Sequence, residues 1–164
     1  MKAISVFDHH SVFVERTVPS ILFSRLLSEM GQLLGIPDLT PSSEGVCQLA
    51  FDGRHLVQIV DIGVRDHILL SCPVGPGKIT AEQAFLVASS NFMQAAGGAV
   101  ACVAPDGRLM LQLGISRALC QGSTLLSAIE ALLNNVETWQ VKLSRATLPA
   151  HDFRHTMAFT MSPM

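Results

Sequence analysis

Apolar residues between Ser20 and Pro37 recur at helical spacing. Leu22, Leu26, Met30 and Leu33 form one stripe, widened by Phe23, Leu27 and Leu34, which predicts an amphipathic helix. Pro19 suits its first turn, and Gly35 followed by Pro37 predicts its end. The period then shortens to two. VCQLAF, the pair Asp52-Gly53 and RHLVQIVDI read as strand, tight turn and return strand, because Asp-Gly tolerates the positive φ angles of a hairpin turn. The return strand is apolar on both faces, Leu56 and Val60 flanking Gln58 on one, Val57 and Ile59 between His55 and Asp61 on the other. A sheet with one wet face needs apolar residues on only one side. HILLSCPV predicts a third strand, stopped by Gly75-Pro76-Gly77.

TAEQ at 80–83 has the spacing of a capping box and opens a second helix. That helix carries two apolar faces, Phe85, Ala88, Phe92 and Ala95 on one and Leu86 and Met93 on another. One face suffices for a surface helix, so this one is expected to be covered on two sides. After a glycine break, AVACVA, PDGR and LMLQLGIS predict a hairpin, with Leu109, Leu111, Leu113 and Ile115 alternating with Met110 and Gln112. Ser123 is the expected N-cap of a last helix with stripes Leu126, Ile129, Leu133, Val136, Gln140 and Leu125, Leu132, Trp139. Helix, three strands, helix, two strands, helix: blocks of strands joined by hairpins predict an α+β sandwich with an antiparallel sheet rather than a doubly wound fold. Residues 1–18 read as an N-terminal arm, 19–144 as one domain, and 145–164 as a loose tail.

Composition changes this picture in one respect. Hydrophobic residues make up 49% of the 164, an ordinary share, but charged residues only 15%, against about 25% in typical soluble domains. Part of the surface is therefore expected to be covered by another chain. A net charge of -2 gives no footprint for nucleic acid. From Gln83 to Pro105 no residue is formally charged, about the length of a membrane span. Ser89, Ser90, Asn91, Gln94 and Gly97-Gly98 in its middle favour instead a helix, a break and a strand, with no stable membrane insertion. The N-terminus has no continuous apolar stretch of the kind signal peptides carry, and Cys47, Cys72, Cys102 and Cys120 are widely spaced, as in buried thiols of a reducing compartment. The expected location is the cytoplasm.

Catalytic chemistry is sparse. His9-His10 sits in the weakly patterned arm, and His151 and His155 have the spacing of a zinc helix, but with Asp152 where a metalloprotease has Glu. Gly75-Pro76-Gly77-Lys78 lacks the spacing of a phosphate loop, and no GxSxG elbow occurs. Cys102 lies in an apolar run, where burial raises a thiol's pKa. No catalytic residue, metal or cofactor is assigned. A small enzyme using a cysteine or histidine remains as one alternative.

Three segments together carry a family resemblance. LLSEMGQLLGIPDL with GVCQLAFDG, then ASSNFMQAAGGAVACVAPDGRLMLQLGIS, then LLSAIEALLNNVETWQVKL cover residues 20–143 in order. This set resembles the class I chaperones of bacterial type III secretion, the CesT/SycE-like family. The resemblance implies a non-enzymatic cytoplasmic homodimer that binds the N-terminal region of secreted effectors and keeps it non-globular. It also implies delivery to the secretion apparatus, with the secretion ATPase as a further partner. By the family pattern the dimer contact falls on Leu86, Met93, Val100 and Cys102. The client-binding candidates are Leu22, Leu26, Leu49, Phe51, Val57 and Ile59, where apolar anchors and a strand edge would meet an extended segment. A second alternative on the same fold is a regulatory protein that sequesters a secretion regulator. Two features depart from the family: its members are clearly acidic where this chain is only mildly so, and the residues after Ser144 extend beyond the match.

Overall fold

A computed structural model describes residues 20–93 and 98–146. The arm before Pro19, Pro19 itself, Ala95 and Gly97, the tail beyond residue 146 and both histidine motifs lie outside the described residues. The element order is α1 (Ile21–Leu34), β1 (Val46–Phe51), β2 (His55–Ile62), β3 (His67–Lys78), α2 (Ala81–Phe92), β4 (Val100–Val103), β5 (Arg108–Ser116) and α3 (Gly122–Ala146). Short 3-10 turns occupy Gly63–Arg65 and Arg117–Leu119. This is the α+β order the hydrophobic pattern predicts. The five strands form one sheet in the order β1-β2-β3-β5-β4, antiparallel at every pairing.

Local chemistry explains most boundaries. Ser20 caps α1: its Oγ accepts from the Phe23 N–H at 3.1 Å and donates to Asp61 Oδ2 at 2.6 Å, so the cap is itself tied to β2. The β1–β2 turn holds Asp52 at φ 52° and Gly53 at φ 66°, and Arg54 N–H closes it onto Phe51 C=O at 3.1 Å. Two consecutive positive φ angles are what a tight hairpin matching the strand twist requires. The capping box of α2 is present, with Gln83 N–H donating to Thr80 Oγ1 at 3.3 Å and Thr80 N–H to Gln83 Oε1 at 2.9 Å. Gly122 lies where α3 starts against α1. A Cβ there would come within 2.8 Å of Glu29 Cβ and of the Met30 backbone nitrogen, so only glycine permits this approach.

One hydrophobic core fills the space between the sheet and the helices. Leu49, Phe51, Val57, Ile59, Leu70 and Leu111 rise from one face of the sheet, Phe23, Leu27 and Met30 come from α1, and Ile129, Leu132 and Trp139 from α3. Each is at most 1% exposed, and full burial of such a side chain stabilises by about 1.5–3 kcal/mol.

Three expectations change. β3 does not stop before Gly75 but runs to Lys78, with a register shift against β5 between Pro73 and Lys78; this irregular stretch contains Pro76, which has no N–H to donate. Ser123 lies inside α3 rather than capping it, since the helical ladder is already joined by Leu125 N–H to Gln121 C=O at 2.9 Å. α2, expected to be covered on two sides, buries within the chain only the side of Gln83, Val87 and Ser90 and leaves Phe85 and Phe92 exposed. Gln83 is tied to α3 on that side, its amide donating from Nε2 to Leu143 C=O at 3.4 Å.

Candidate interaction surfaces

The six positions expected to meet a client separate sharply. Leu22 is 61% exposed, whereas Leu26 is 7% and Leu49, Phe51, Val57 and Ile59 at most 1% exposed. The last four belong to the core face of β1 and β2, and their apolar surface is already used in packing against the helices; they are not available as a contact surface. Leu22 instead stands at a groove of about 200 Å³ between α1 and the Arg117–Leu119 turn, lined also by Leu26, Ile68, Arg117 and Cys120. Ile21, 88% exposed, and Leu119, 77% exposed, neighbour it along the chain. The rigid element behind the groove is the Ser20–Asp61–Arg117 cluster, in which Arg117 Nη1 approaches Asp61 Oδ1 at 3.5 Å.

The second apolar surface joins α2 and β4. Met93 and Val100, both expected at a dimer contact, are 67% and 55% exposed, while Leu86 and Cys102 are half-buried. The largest exposed side chains of the region are Phe85 and Phe92, at 76% and 90%. The sequence placed them on one apolar face of α2 without marking it as surface; the inward side is held by Gln83, Val87 and Ser90, with Gln83 bonded to Leu143 and Asn91 to Ala101. Asn91 sits beside them and closes the edge of β4. Its Nδ2 donates to Ala101 C=O at 2.7 Å and its Oδ1 accepts from Ala101 N–H at 3.0 Å, so one side chain stands where a neighbouring strand would be. The opposite edge, β1, has no further strand among the described residues.

The groups that could do chemistry are dispersed. Among the described residues no three His, Cys, Asp or Glu side chains gather as a metal site requires. All four cysteines are free thiols. Burial pushes Cys47 and Cys72 up to about 12, and Cys102 and Cys120 upward as well, so none is primed as a thiolate nucleophile near neutral pH. The uncharged stretch 83–105 is divided between α2 and β4, and among the described residues no helix is long and apolar enough to cross a membrane.

An antiparallel five-stranded sheet with two helices on one face, a third along its edge and two separate apolar surfaces defines a binding module of the secretion-chaperone type. Known proteins agree. The Tir chaperone protein (CesT) family model matches residues 25–140, and the chain belongs to that family. Among solved structures it is similar to the ExsC–ExsE complex, with 25% identity, TM-score 0.66, and coverage of 73% of this chain and 92% of that one. The HopA1–SchA chaperone–effector complex matches with 20% identity, TM-score 0.64 and coverage of 74% and 94%. The Yersinia pestis type III secretion chaperone SycH, in complex with a stable fragment of YscM2, matches with 19% identity, TM-score 0.59 and coverage of 71% and 98%. No curated protein sequence matches the chain.

Proposed function

We propose that this type III secretion chaperone binds the N-terminal region of one or more effectors, holds it non-globular, and delivers it to the secretion apparatus. It does so in the bacterial cytoplasm, as a homodimer and without catalysis, handing its client to the secretion ATPase. The observation that carries this reading is the apolar groove beside Leu22, flanked by Ile21 and Leu119, on a domain whose own core is complete without them. An extended segment can place apolar anchors there while its backbone pairs with the edge of β1, which has no further strand among the described residues. Client ordering costs free energy, so contact over a wide surface is expected. The α2–β4 surface supports self-association: Phe85, Phe92, Met93 and Val100 present large apolar side chains to solvent, and a two-fold contact would cover each with its own copy.

The test is capture from native cells with the tagged chain, followed by identification of the bound polypeptides. Wild type retains one or more secreted proteins through their N-terminal segments, and Leu22→Asp loses them while remaining folded. Failure to retain any secreted protein when secretion genes are expressed refutes the reading. Retention of a regulator alone assigns the chain to regulation instead.

A further inference from the structure

The sheet face turned away from the core carries a continuous polar row. Register places Gln48 beside Gln58, Gln58 beside Ser71 and Ser71 beside Gln112, and directly opposed residues share a face. Apolar rows run on either side: Val46, Val60 and Leu69 on one, Leu56 and Met110 on the other. None of these five belongs to the core cluster or packs against it. Gln58 and Ser71 each have a polar row neighbour on both sides, Gln112 meets Val100 of β4 on its far side, and at β1 the row ends on an edge with no further strand among the described residues. There Gln48 is 8% exposed, and its Oε1 is enclosed with no hydrogen-bond partner. Two other atoms among the described residues share that condition, His55 Nε2 and Trp139 Nε1. Both of those residues lie on the core side, His55 opposite Phe51 and Trp139 within the core itself. Gln48 alone carries its unmet acceptor on the outer face of an edge strand.

The backbone of Gln48 faces the outer edge of β1, where no further strand follows among the described residues. In an antiparallel pair, residues alternate between bonding their partner strand and pointing away from it. Val46 points away from β2: its N–H donates to Ser42 Oγ at 3.3 Å and its C=O accepts from Ser42 N–H at 2.8 Å. Two and four residues on, Gln48 and Ala50 therefore present their N–H and C=O groups to the outer edge of β1. The Ser42 loop covers Val46, so Gln48 is the first position an incoming strand can pair with. The incoming residue opposite Gln48 puts its side chain on the outer face, at about 5.5 Å between Cα atoms.

We propose that Gln48 sets the register of a client strand added to β1. It selects an amide or hydroxyl side chain directly opposite, with apolar side chains two positions to either side. The partner is thus an extended segment of the pattern apolar–x–(Asn, Gln, Ser or Thr)–x–apolar, which extends the polar row by one residue. A slip of one residue turns the whole pattern to the other face. A slip of two places an apolar side chain against Gln48 and leaves its amide without a partner. The proposal rests on the chaperone reading and specifies which client sequences that reading admits.

The test uses the full-length protein and two fluorescein-labelled peptides, Lys-Val-Ile-Asn-Leu-Val-Lys and the same peptide with Leu in place of Asn, titrated by fluorescence anisotropy. Wild type is expected to favour the Asn peptide about tenfold, the effect of one well-placed hydrogen bond. Gln48→Leu conserves volume and reverses the preference; Gln48→Met is the second variant should Gln48→Leu fail to fold. An unchanged peptide ratio in the variant refutes the proposal, as does absence of binding by either peptide. Peptide binding that weakens in step with self-association of the protein assigns the edge to a second copy and also refutes it. Client capture from cells separates the two levels. Capture lost on Leu22→Asp together with an unchanged peptide ratio overturns the role of Gln48 alone, whereas no capture at all overturns the chaperone reading.

Discussion

Replacing Asn91 by Ala removes two hydrogen bonds at once, 2.7 Å from Nδ2 to Ala101 C=O and 3.0 Å from Ala101 N–H to Oδ1. Each is worth about 1 kcal/mol net where solvent can take over, and up to ~3 kcal/mol where the freed backbone group stays dry. Ala101 is 2% exposed, which limits what water can restore, so the expected cost is about 2–4 kcal/mol. Asn91→Asp separates the two bonds. A carboxylate still accepts from the Ala101 N–H, but it sets an acceptor against the Ala101 carbonyl, so this variant should be at least as unstable as Asn91→Ala at neutral pH. It should recover partly in acid, where the protonated carboxyl can donate. Urea unfolding reads the loss as a lower midpoint with unchanged slope, and amide exchange reads it locally as faster exchange at Ala101. A midpoint within error of wild type, with Ala101 exchange unchanged, would refute the claim that Asn91 closes the β4 edge.

Other expectations follow from burial and ionisation. Leu22→Asp should change stability by less than about 0.5 kcal/mol, because the side chain is exposed, whereas Phe51→Ala should cost ~3–5 kcal/mol; thermal melts of the two variants check the contrast. Phe92→Ser should weaken self-association by about tenfold or more, measured by analytical ultracentrifugation, with little effect on monomer unfolding. Cys47 and Cys72 ionise at 9.0 when unfolded but near 12 in the fold, since burial penalises the thiolate. A raised folded value means their contribution is complete below pH 9 and is lost as pH climbs from 9 toward 12. The loss per thiol is about 1.4 kcal/mol per pH unit; denaturation midpoints at pH 8 and 10, compared with a Cys47→Ala/Cys72→Ala variant, isolate it.

Elements whose signals are local were legible from the chain. Asp52-Gly53, the Thr80–Gln83 box and the alternation from Leu109 to Ile115 each act over a few residues and give the hairpins, the cap and the strand as expected. The choice between faces was not legible. On β2 both faces carry apolar and polar residues, His55 and Asp61 sharing one with Val57 and Ile59, so the pattern alone did not say which face packs inward. The face of His55 and Asp61 is the core face, and Asp61 is tolerated there because Ser20 and Arg117 satisfy it from two other elements. On α2 the buried side is Gln83, Val87 and Ser90, held by contacts such as Gln83 to Leu143, sixty residues away, that local spacing does not encode. The closure of β4 by Asn91 likewise depends on a contact across the intervening loop, with no signature in the spacing of residues.

The two edges of the sheet are treated by opposite chemistry, and this bears on how one small domain can engage two kinds of partner. An open strand edge is a template for any extended chain, including another copy of the same protein. At β4, the strand beside the exposed phenylalanines of α2, Asn91 occupies the backbone groups of Ala101, so association there must proceed through side chains such as Phe85, Phe92 and Val100. Side-chain packing depends on shape and therefore favours a defined two-fold partner over an arbitrary strand. At β1 the Ser42 loop covers Val46, and beyond it no further strand follows among the described residues, which on the proposed reading leaves that backbone for pairing that tolerates many sequences. On the proposed assignment, self-association and client binding use different strands, different atoms and different selectivity. Capturing a client need not compete with the dimer, and the dimer need not block the client.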